Sequence, residues 1–175
     1  MTDRDIATLG AAATARLAAS GESVGVVETS AGGLVAAALL AAPGASKWFR
    51  GGLVLYTYEA REEFLGLSNA KMGMGLVRSA SVAAAILYAR QMRVRLNTTW
   101  AVAETGAAGP TGNRYGDPAG HTCLAVSGPV ERGFTLRTGN ADRVDNMWAF
   151  AAAALNLLAE AMDRTEGPRH PMSSG

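Results

Sequence analysis

Val24-Gly25-Val26-Val27-Glu28-Thr29-Ser30-Ala31-Gly32-Gly33-Leu34 is the stretch that decides the fold. Val24 to Val27 have the length and β-branched character of a short buried strand. The strand runs directly into a turn of small residues, and an Ala/Leu-rich helix is predicted to follow through about Leu40. A buried strand passing through glycines into a helix opens a βα unit, and such units build a sheet covered by helices.

Working outward, Thr2 or Asp3 is positioned to cap a first helix over about 3–20, with Ile6, Leu9, Ala13 and Leu17 on one face and Gly21 as its stop. Downstream, Pro43-Gly44-Ala45-Ser46 ends the second helix. A second strand is read over about 52–57, followed by a short helix over 59–65. The Gly-, Met- and Asn-rich stretch 66–77 reads as a loop. Ser79 or Ser81 then caps a long helix to about Leu96, with Val82, Ile86, Ala89, Arg93 and Leu96 along its stripe. A third strand is expected over 98–104, an antiparallel pair over 121–127 and 132–138, and a last helix over 143–163 with Met147, Ala151, Leu155, Leu158 and Met162 in register. The expected architecture is α/β: a single three-layer α/β/α domain over 1–164 with a mixed sheet and an antiparallel hairpin. Residues 165–175, rich in Pro, His, Ser and Gly, are expected to be a disordered tail.

Composition narrows the function classes. The 175 residues are 49% hydrophobic and 18% charged with net charge +1, which is globular and not disordered. Near-neutral charge provides no general attraction for nucleic acid or an anionic membrane, so neither is an expected partner. The apolar runs stop short of the ~20 residues that span a bilayer. No signal peptide is read in residues 1–5, and the expected location is cytoplasmic. Cys123, the single cysteine, cannot form an internal disulfide and sits in an apolar strand as a small core residue. Neither histidine has metal-ligand spacing around it, so no metal is expected. Trp48, Trp100 and Trp148 read as packing residues.

Open α/β sheets bind ligands at the carboxyl ends of their strands, where both glycine clusters fall. The first, Glu28 to Gly33, places a carboxylate and the hydroxyls of Thr29 and Ser30 at a strand-to-helix turn whose N–H groups favour an anion. The same residues would also serve simply as a helix cap, with Gly32 and Gly33 permitting close packing. The second, Thr105 to Gly112, is denser and continues through Asn113, Arg114, Asp117, Gly120 and His121. It is neither a Walker A sequence nor a dinucleotide fingerprint. Arg114 is placed either to neutralise a phosphate or to sit in solvent. Tyr56 and Arg61, near the end of the second strand, could hydrogen-bond a substrate and fix an anion; singly, each also reads as a packing or surface residue.

Together these blocks resemble the CinA C-terminal domain family, which includes stand-alone nicotinamide-nucleotide amidases. The resemblance runs from Val26 to about Leu158. It rests on 28–34, Pro43-Gly44-Ala45-Ser46, Gly51-Gly52-Leu53-Val54-Leu55-Tyr56, Thr105-Gly106-Ala107-Ala108-Gly109-Pro110 and Pro118-Ala119-Gly120. It implies an α/β fold, a homo-oligomer, and hydrolysis of nicotinamide mononucleotide to nicotinic acid mononucleotide and ammonia without cofactor. The family's serine falls on Thr29, its tyrosine on Tyr56 and its lysine on Arg61, with Thr57 and Tyr58 between; Ser30 is the fallback nucleophile. A further family serine falls on Ser79, a threonine on Ala31, and its threonine-glycine pair on Thr105 and Gly106. The substrate-binding set the resemblance implies is Glu28, Gly32, Gly33, Ser79, Thr105, Gly106, Gly109 and Arg114.

Two departures bear on chemistry. Thr29 keeps a hydroxyl but its methyl restricts the rotamer. Arg61 stays charged where a lysine can shed a proton and act as base. With these departures the resemblance implies an amidohydrolase with Thr29 as nucleophile, Tyr56 as relay and Arg61 holding substrate. It leaves open a binding protein for a nucleotide or related metabolite without turnover. It also leaves open a hydrolase of another amide or ester whose base is Glu28, Glu104 or His121.

Overall fold

In the computed structural model, residues 4–74 and 76–165 are described. In chain order they form α1 (Ile6–Ser20), β1 (Val24–Glu28), α2 (Leu34–Leu40), a 3-10 turn (Ala45–Lys47), β2 (Phe49–Val54), α3 (Tyr58–Leu65), α4 (Val82–Leu96), β3 (Trp100–Ala107), β4 (His121–Ser127), β5 (Arg132–Arg137) and α5 (Arg143–Thr165). The sheet order is β2-β1-β3-β4-β5. β1 pairs in parallel with β2 and β3, while β3–β4 and β4–β5 are antiparallel.

The central strands alternate between two cores. Val24, Val26, Trp100, Val102, Leu124 and Val126 meet α1, α2 and α5 on one face. Val27, Ala101 and Ala103 meet Tyr88, Ala89 and Met92 of α4 and Leu65 of α3 on the other. Both faces of the sheet are thus covered, as expected of βα units.

Several boundaries differ from the sequence reading. The cap of α1 is Asp5, whose carboxylate accepts the Ala7 and Thr8 N–H groups at 3.1 Å; Thr2 and Asp3 lie outside the described residues. β2 starts at Phe49, because Gly51 and Gly52 pair with Gly25 and Val26 inside the ladder. A Cβ on Gly52 would approach the Ala36 methyl to 3.1 Å, so that glycine serves close packing of α2 on the strand. β3 begins at Trp100 and runs on to Ala107, carrying the first residues of the second glycine cluster, Thr105 to Ala107, into the antiparallel ladder with β4. On α4 the buried face is Ala84, Ala85, Tyr88, Ala89 and Met92, and Arg93 is exposed at the C-terminal turn. Ser81 caps this helix, accepting Ala84 N–H at 3.2 Å, which leaves Ser79 free for another use. Thr165 is the last residue of α5 and not the start of a tail; the rest of the expected tail, 166–175, lies outside the described residues.

Candidate active site

The carboxyl ends of the three parallel strands open on a cavity of about 440 Å³. β1 delivers Thr29, the β2–α3 segment Tyr56, Tyr58 and Arg61, the loop before α4 Ser79, β3 Thr105 and Gly106, and the loop before β4 Arg114 and Tyr115. Seven of the sequence-derived site residues therefore share one wall system: Thr29, Tyr56, Arg61, Ser79, Thr105, Gly106 and Arg114.

The turn that carries Thr29 is shaped from below by two buried carboxylates. Glu104, fully buried, accepts N–H of Thr29 at 3.1 Å and of Ala31 at 2.8 Å with one oxygen, and the hydroxyls of Ser30 and Thr122 at 2.5 and 2.7 Å with the other. Glu28 accepts N–H of Gly33, Val35 and Ala36 at 2.9 to 3.0 Å and so caps α2. Burial pushes the Glu28 carboxyl up, against the three N–H groups that lower it. Glu28, Ser30, Gly32 and Gly33 consequently build the turn and do not line the cavity; Gly32 and Gly33 supply its positive φ values of 69° and 99°. Gly109 also lies outside the cavity wall. A Cβ there would stand 2.5 Å from the Ala141 carbonyl, and the Gly109 carbonyl accepts Arg143 Nη1 at 2.7 Å.

Thr29 Oγ1 accepts the Gly106 N–H at 3.3 Å. Gly106 must be glycine for that approach, since a Cβ would meet the His121 carbonyl oxygen at 2.4 Å. Among the described residues no carboxylate, imidazole or amine hydrogen-bonds the Thr29 hydroxyl. The alternative bases are engaged elsewhere. Glu28 and Glu104 lie under the turn. His121 Nε2 hydrogen-bonds the Ala80 carbonyl at 3.0 Å, away from the cavity.

Arg61, 4% exposed, donates Nε to the Leu67 carbonyl and Nη2 to Asn69 Oδ1, both at 2.8 Å. No carboxylate pairs with it among the described residues. Tyr56 lies past the end of β2, is 66% exposed, and accepts Arg143 Nη2 at 2.9 Å. It stands at the rim. Ser79 Oγ is 3.5 Å from the Tyr88 hydroxyl, and Thr105 Oγ1 accepts the Ala80 N–H at 3.3 Å.

Two wall residues escaped the sequence reading as site candidates. Tyr58 and Tyr115 hydrogen-bond through their hydroxyls across the cavity. Arg114 lies over both rings, 4.4 and 5.5 Å from their centroids. Burial raises the Tyr115 pKa, but hydrogen bonds from Tyr58, Ser79 and Arg114 outweigh it and hold the phenol below its ordinary value. Tyr58 moves the other way, mainly through burial. The loop that presents Arg114 and Tyr115 is self-organised. Asn113 Oδ1 accepts N–H of Tyr115 and Asp117, its Nδ2 donates to Asp117, and Asp117 takes a two-armed contact from Arg78. The Arg114-Tyr115 pair inside the densest glycine cluster was the available signal for Tyr115; nothing marked Tyr58. No His/Cys/Asp/Glu group among the described residues could hold a metal, and no described helix is long and apolar enough to cross a membrane.

A mixed sheet with helices on both faces, opening a polar cleft at the ends of its parallel strands, defines the class: a three-layer α/β domain. Residues 6–162 match the CinA C-terminal domain family, and the chain belongs to it. A CinA-like protein of Anaeromyxobacter sp. (strain K) is 39% identical over 150 residues, 85% of this chain and 36% of its own length. One of Gloeobacter violaceus is 37% identical over 133 residues, 75% of this chain and 31% of its own length. The chain thus spans about a third of these relatives. Among solved structures, a competence/damage inducible protein of Agrobacterium tumefaciens superposes with TM-score 0.81 at 28% identity, covering 93% of this chain and 98% of that one. A CinA superfamily protein of Klebsiella pneumoniae has TM-score 0.83 at 22% identity, covering 92% and 99%, and speaks for the fold alone.

Proposed function

We propose that the cavity binds a phosphate-bearing nucleotide and that the protein hydrolyses its carboxamide, the nicotinamide-nucleotide amidase reaction that the family resemblance implies. The observation that carries this is the placement on one cavity of the Thr29 hydroxyl and the guanidinium groups of Arg61 and Arg114, neither of which pairs with a carboxylate among the described residues. Arg61 and Arg114 supply fixed positive charge for an anionic group. Thr29 Oγ attacks the carboxamide carbon, ammonia leaves carrying the hydroxyl proton, and water then cleaves the acyl-threonine ester to the acid. No metal or organic cofactor takes part.

One observation favours a second reading, binding without turnover: among the described residues no base touches Thr29 Oγ1. A guanidinium is a poor proton acceptor compared with an amine, and loss of a general base costs ~10²- to 10⁴-fold in rate. Ammonia release from nicotinamide mononucleotide, measured for the native chain, Thr29→Ala and Arg61→Lys, separates the two. Turnover abolished in Thr29→Ala and raised in Arg61→Lys establishes the amidase. Saturable binding with no ammonia from the native chain or Arg61→Lys establishes the binding protein.

A further inference from the structure

Thr29 presents a hydroxyl, and amide cleavage needs a group to take its proton. The titratable side chains on the cavity wall are Glu59, Arg61, Arg114 and all four tyrosines of the chain, Tyr56, Tyr58, Tyr88 and Tyr115. Glu28 and Glu104 lie beneath the turn, and both oxygens of each already accept N–H or hydroxyl donors. Glu59 is exposed, and its own N–H and the Thr57 hydroxyl hold it below the ordinary carboxylate range, which makes it a weak base. The two guanidinium groups stay charged. Tyr56 is 66% exposed at the rim, where its hydroxyl accepts Arg143 Nη2. Tyr88 is 2% exposed, and among the described residues no guanidinium lies over its ring.

Tyr58 and Tyr115 are different. Their hydroxyls share a hydrogen bond, and three guanidinium groups surround the pair. Arg61 and Arg114 lie 4.9 and 4.4 Å from the Tyr58 ring centroid, and Arg78 and Arg114 both lie 5.5 Å from that of Tyr115. Of the three, Arg78 alone pairs with a carboxylate among the described residues, that of Asp117. Asp117 is in turn held by Arg78 and Asn113. Positive charge at this range favours a phenolate, and the tyrosine that stays neutral donates to the one that ionises. At Tyr115 burial is outweighed by hydrogen bonds from Tyr58, Ser79 and Arg114, whereas burial prevails at Tyr58.

Resting on the amidase reading above, we infer that Tyr115 is the general base of the reaction, standing in for the lysine whose place Arg61 takes. Its phenolate accepts the Thr29 hydroxyl proton through one bridging water as Oγ1 bonds to the carboxamide carbon. The phenol gives that proton to the amide nitrogen as the C–N bond breaks, and ammonia leaves. In the second half, the phenolate takes a proton from the attacking water as its oxygen bonds to the acyl carbon. The phenol returns a proton to Thr29 Oγ1 as the ester C–O bond breaks. Tyr115 ends each turnover as it began, and water is the only co-reactant.

The test is the pH profile of kcat/KM for conversion of nicotinamide mononucleotide to nicotinic acid mononucleotide, between about pH 7 and 10.5, a range that spans the ordinary phenol value. The native chain should gain activity with pH along a limb that levels off below that value. Tyr115→Phe keeps the ring beside Arg78 and Arg114, and should lower kcat by ~10²- to 10⁴-fold with KM little changed and the limb gone. Tyr58→Phe should stay active and move the limb to higher pH, since the phenolate loses one donor; it carries the test if Tyr115→Phe does not fold. Native kcat in Tyr115→Phe, a loss confined to KM, or a limb still present overturns the base role and leaves the amidase reading standing. A limb that Tyr58→Phe leaves in place does the same. No product from the native chain at any pH removes the amidase reading, and the inference with it.

Discussion

Glu104 holds Thr29 from the neighbouring strand: its Oε2 accepts the Thr29 N–H at 3.1 Å, although the two residues lie 75 positions apart in the chain. β3 therefore sets the backbone of the β1–α2 turn, and the same strand supplies the Gly106 N–H that fixes the Thr29 hydroxyl. Thr29 is held by one strand at two points, its N–H by Glu104 and its hydroxyl by Gly106.

That arrangement distinguishes two substitutions at Glu104. In Glu104→Ala, the N–H groups of Thr29 and Ala31 lose their acceptor inside the core, and buried unsatisfied donors cost ~1–3 kcal/mol each. In Glu104→Gln, the carbonyl oxygen can keep those two N–H groups while the amide NH₂ faces Ser30 and Thr122, whose hydroxyls rotate to accept. Denaturant midpoints should show Glu104→Ala destabilised by about 2–4 kcal/mol and Glu104→Gln by less than half of that. Equal losses would mean that the charge itself, and not the acceptor geometry, is required.

Gly106→Ala addresses the other contact. The added methyl would stand 2.4 Å from the His121 carbonyl oxygen and 2.7 Å from Thr122 Cβ, neither of which is the end of a flexible side chain. The β3–β4 ladder must shift, at a cost of about 1–3 kcal/mol. The Gly106 N–H then moves off Thr29 Oγ1, so ligand-induced thermal stabilisation should fall by more than the loss of stability alone explains.

How far the sequence disclosed this is visible in particular residues. The βα start at Val24 to Leu34 was legible because strand and helix periods change abruptly across Gly32-Gly33. The start of β2 was not, because Gly51-Gly52 looks like a turn until β1 and α2 are seen against it. The buried face of α4 was misplaced because alanines carry little hydrophobic signal; Ala84, Ala85 and Ala89 are buried by close packing while Arg93 is not. Of the candidates read from local motifs, seven line the cavity, while Glu28, Ser30, Gly32, Gly33 and Gly109 do not. Glu104 was noted only as a possible base, since its hydrogen bonds to the first turn depend on strand adjacency that no local pattern encodes. The Tyr58–Tyr115 contact is invisible for the same reason.

Asp117 gives the cavity wall an acid-sensitive fastening. Burial raises its pKa, but Arg78, Asn113 and His121 outweigh that and hold the folded-state value below 3.8. A carboxyl lowered on folding binds more protons when unfolded at intermediate pH, so it stabilises the fold above the unfolded value. That contribution is lost as pH falls from about 3.8 through the folded value. Asp117→Asn should cost about 1–3 kcal/mol at neutral pH and flatten the acid limb of the stability curve. Urea midpoints measured from pH 7 down to about 2.5 for both proteins check this. Parallel acid limbs would show that Asp117 carries none of the linkage.

Tyr58 and Tyr115 should titrate separately although they share a hydrogen bond. Tyr58, Ser79 and Arg114 all favour the Tyr115 phenolate, whereas Tyr58 has its ionised form disfavoured by burial and by its neighbour. Tyr58→Phe removes one donor to Tyr115 while keeping the ring on which Arg114 and Arg61 stack. Tyr115 should then ionise at higher pH, and the first tyrosinate step in an ultraviolet absorbance titration should move up. Tyr115→Phe should instead delete that step. Arg114→Gln should raise it as Tyr58→Phe does, because the guanidinium contributes both a hydrogen bond and charge. If the first step survives in Tyr115→Phe, the phenolate belongs to another tyrosine, and the hydrogen bond across the cavity does not order the two ionisations.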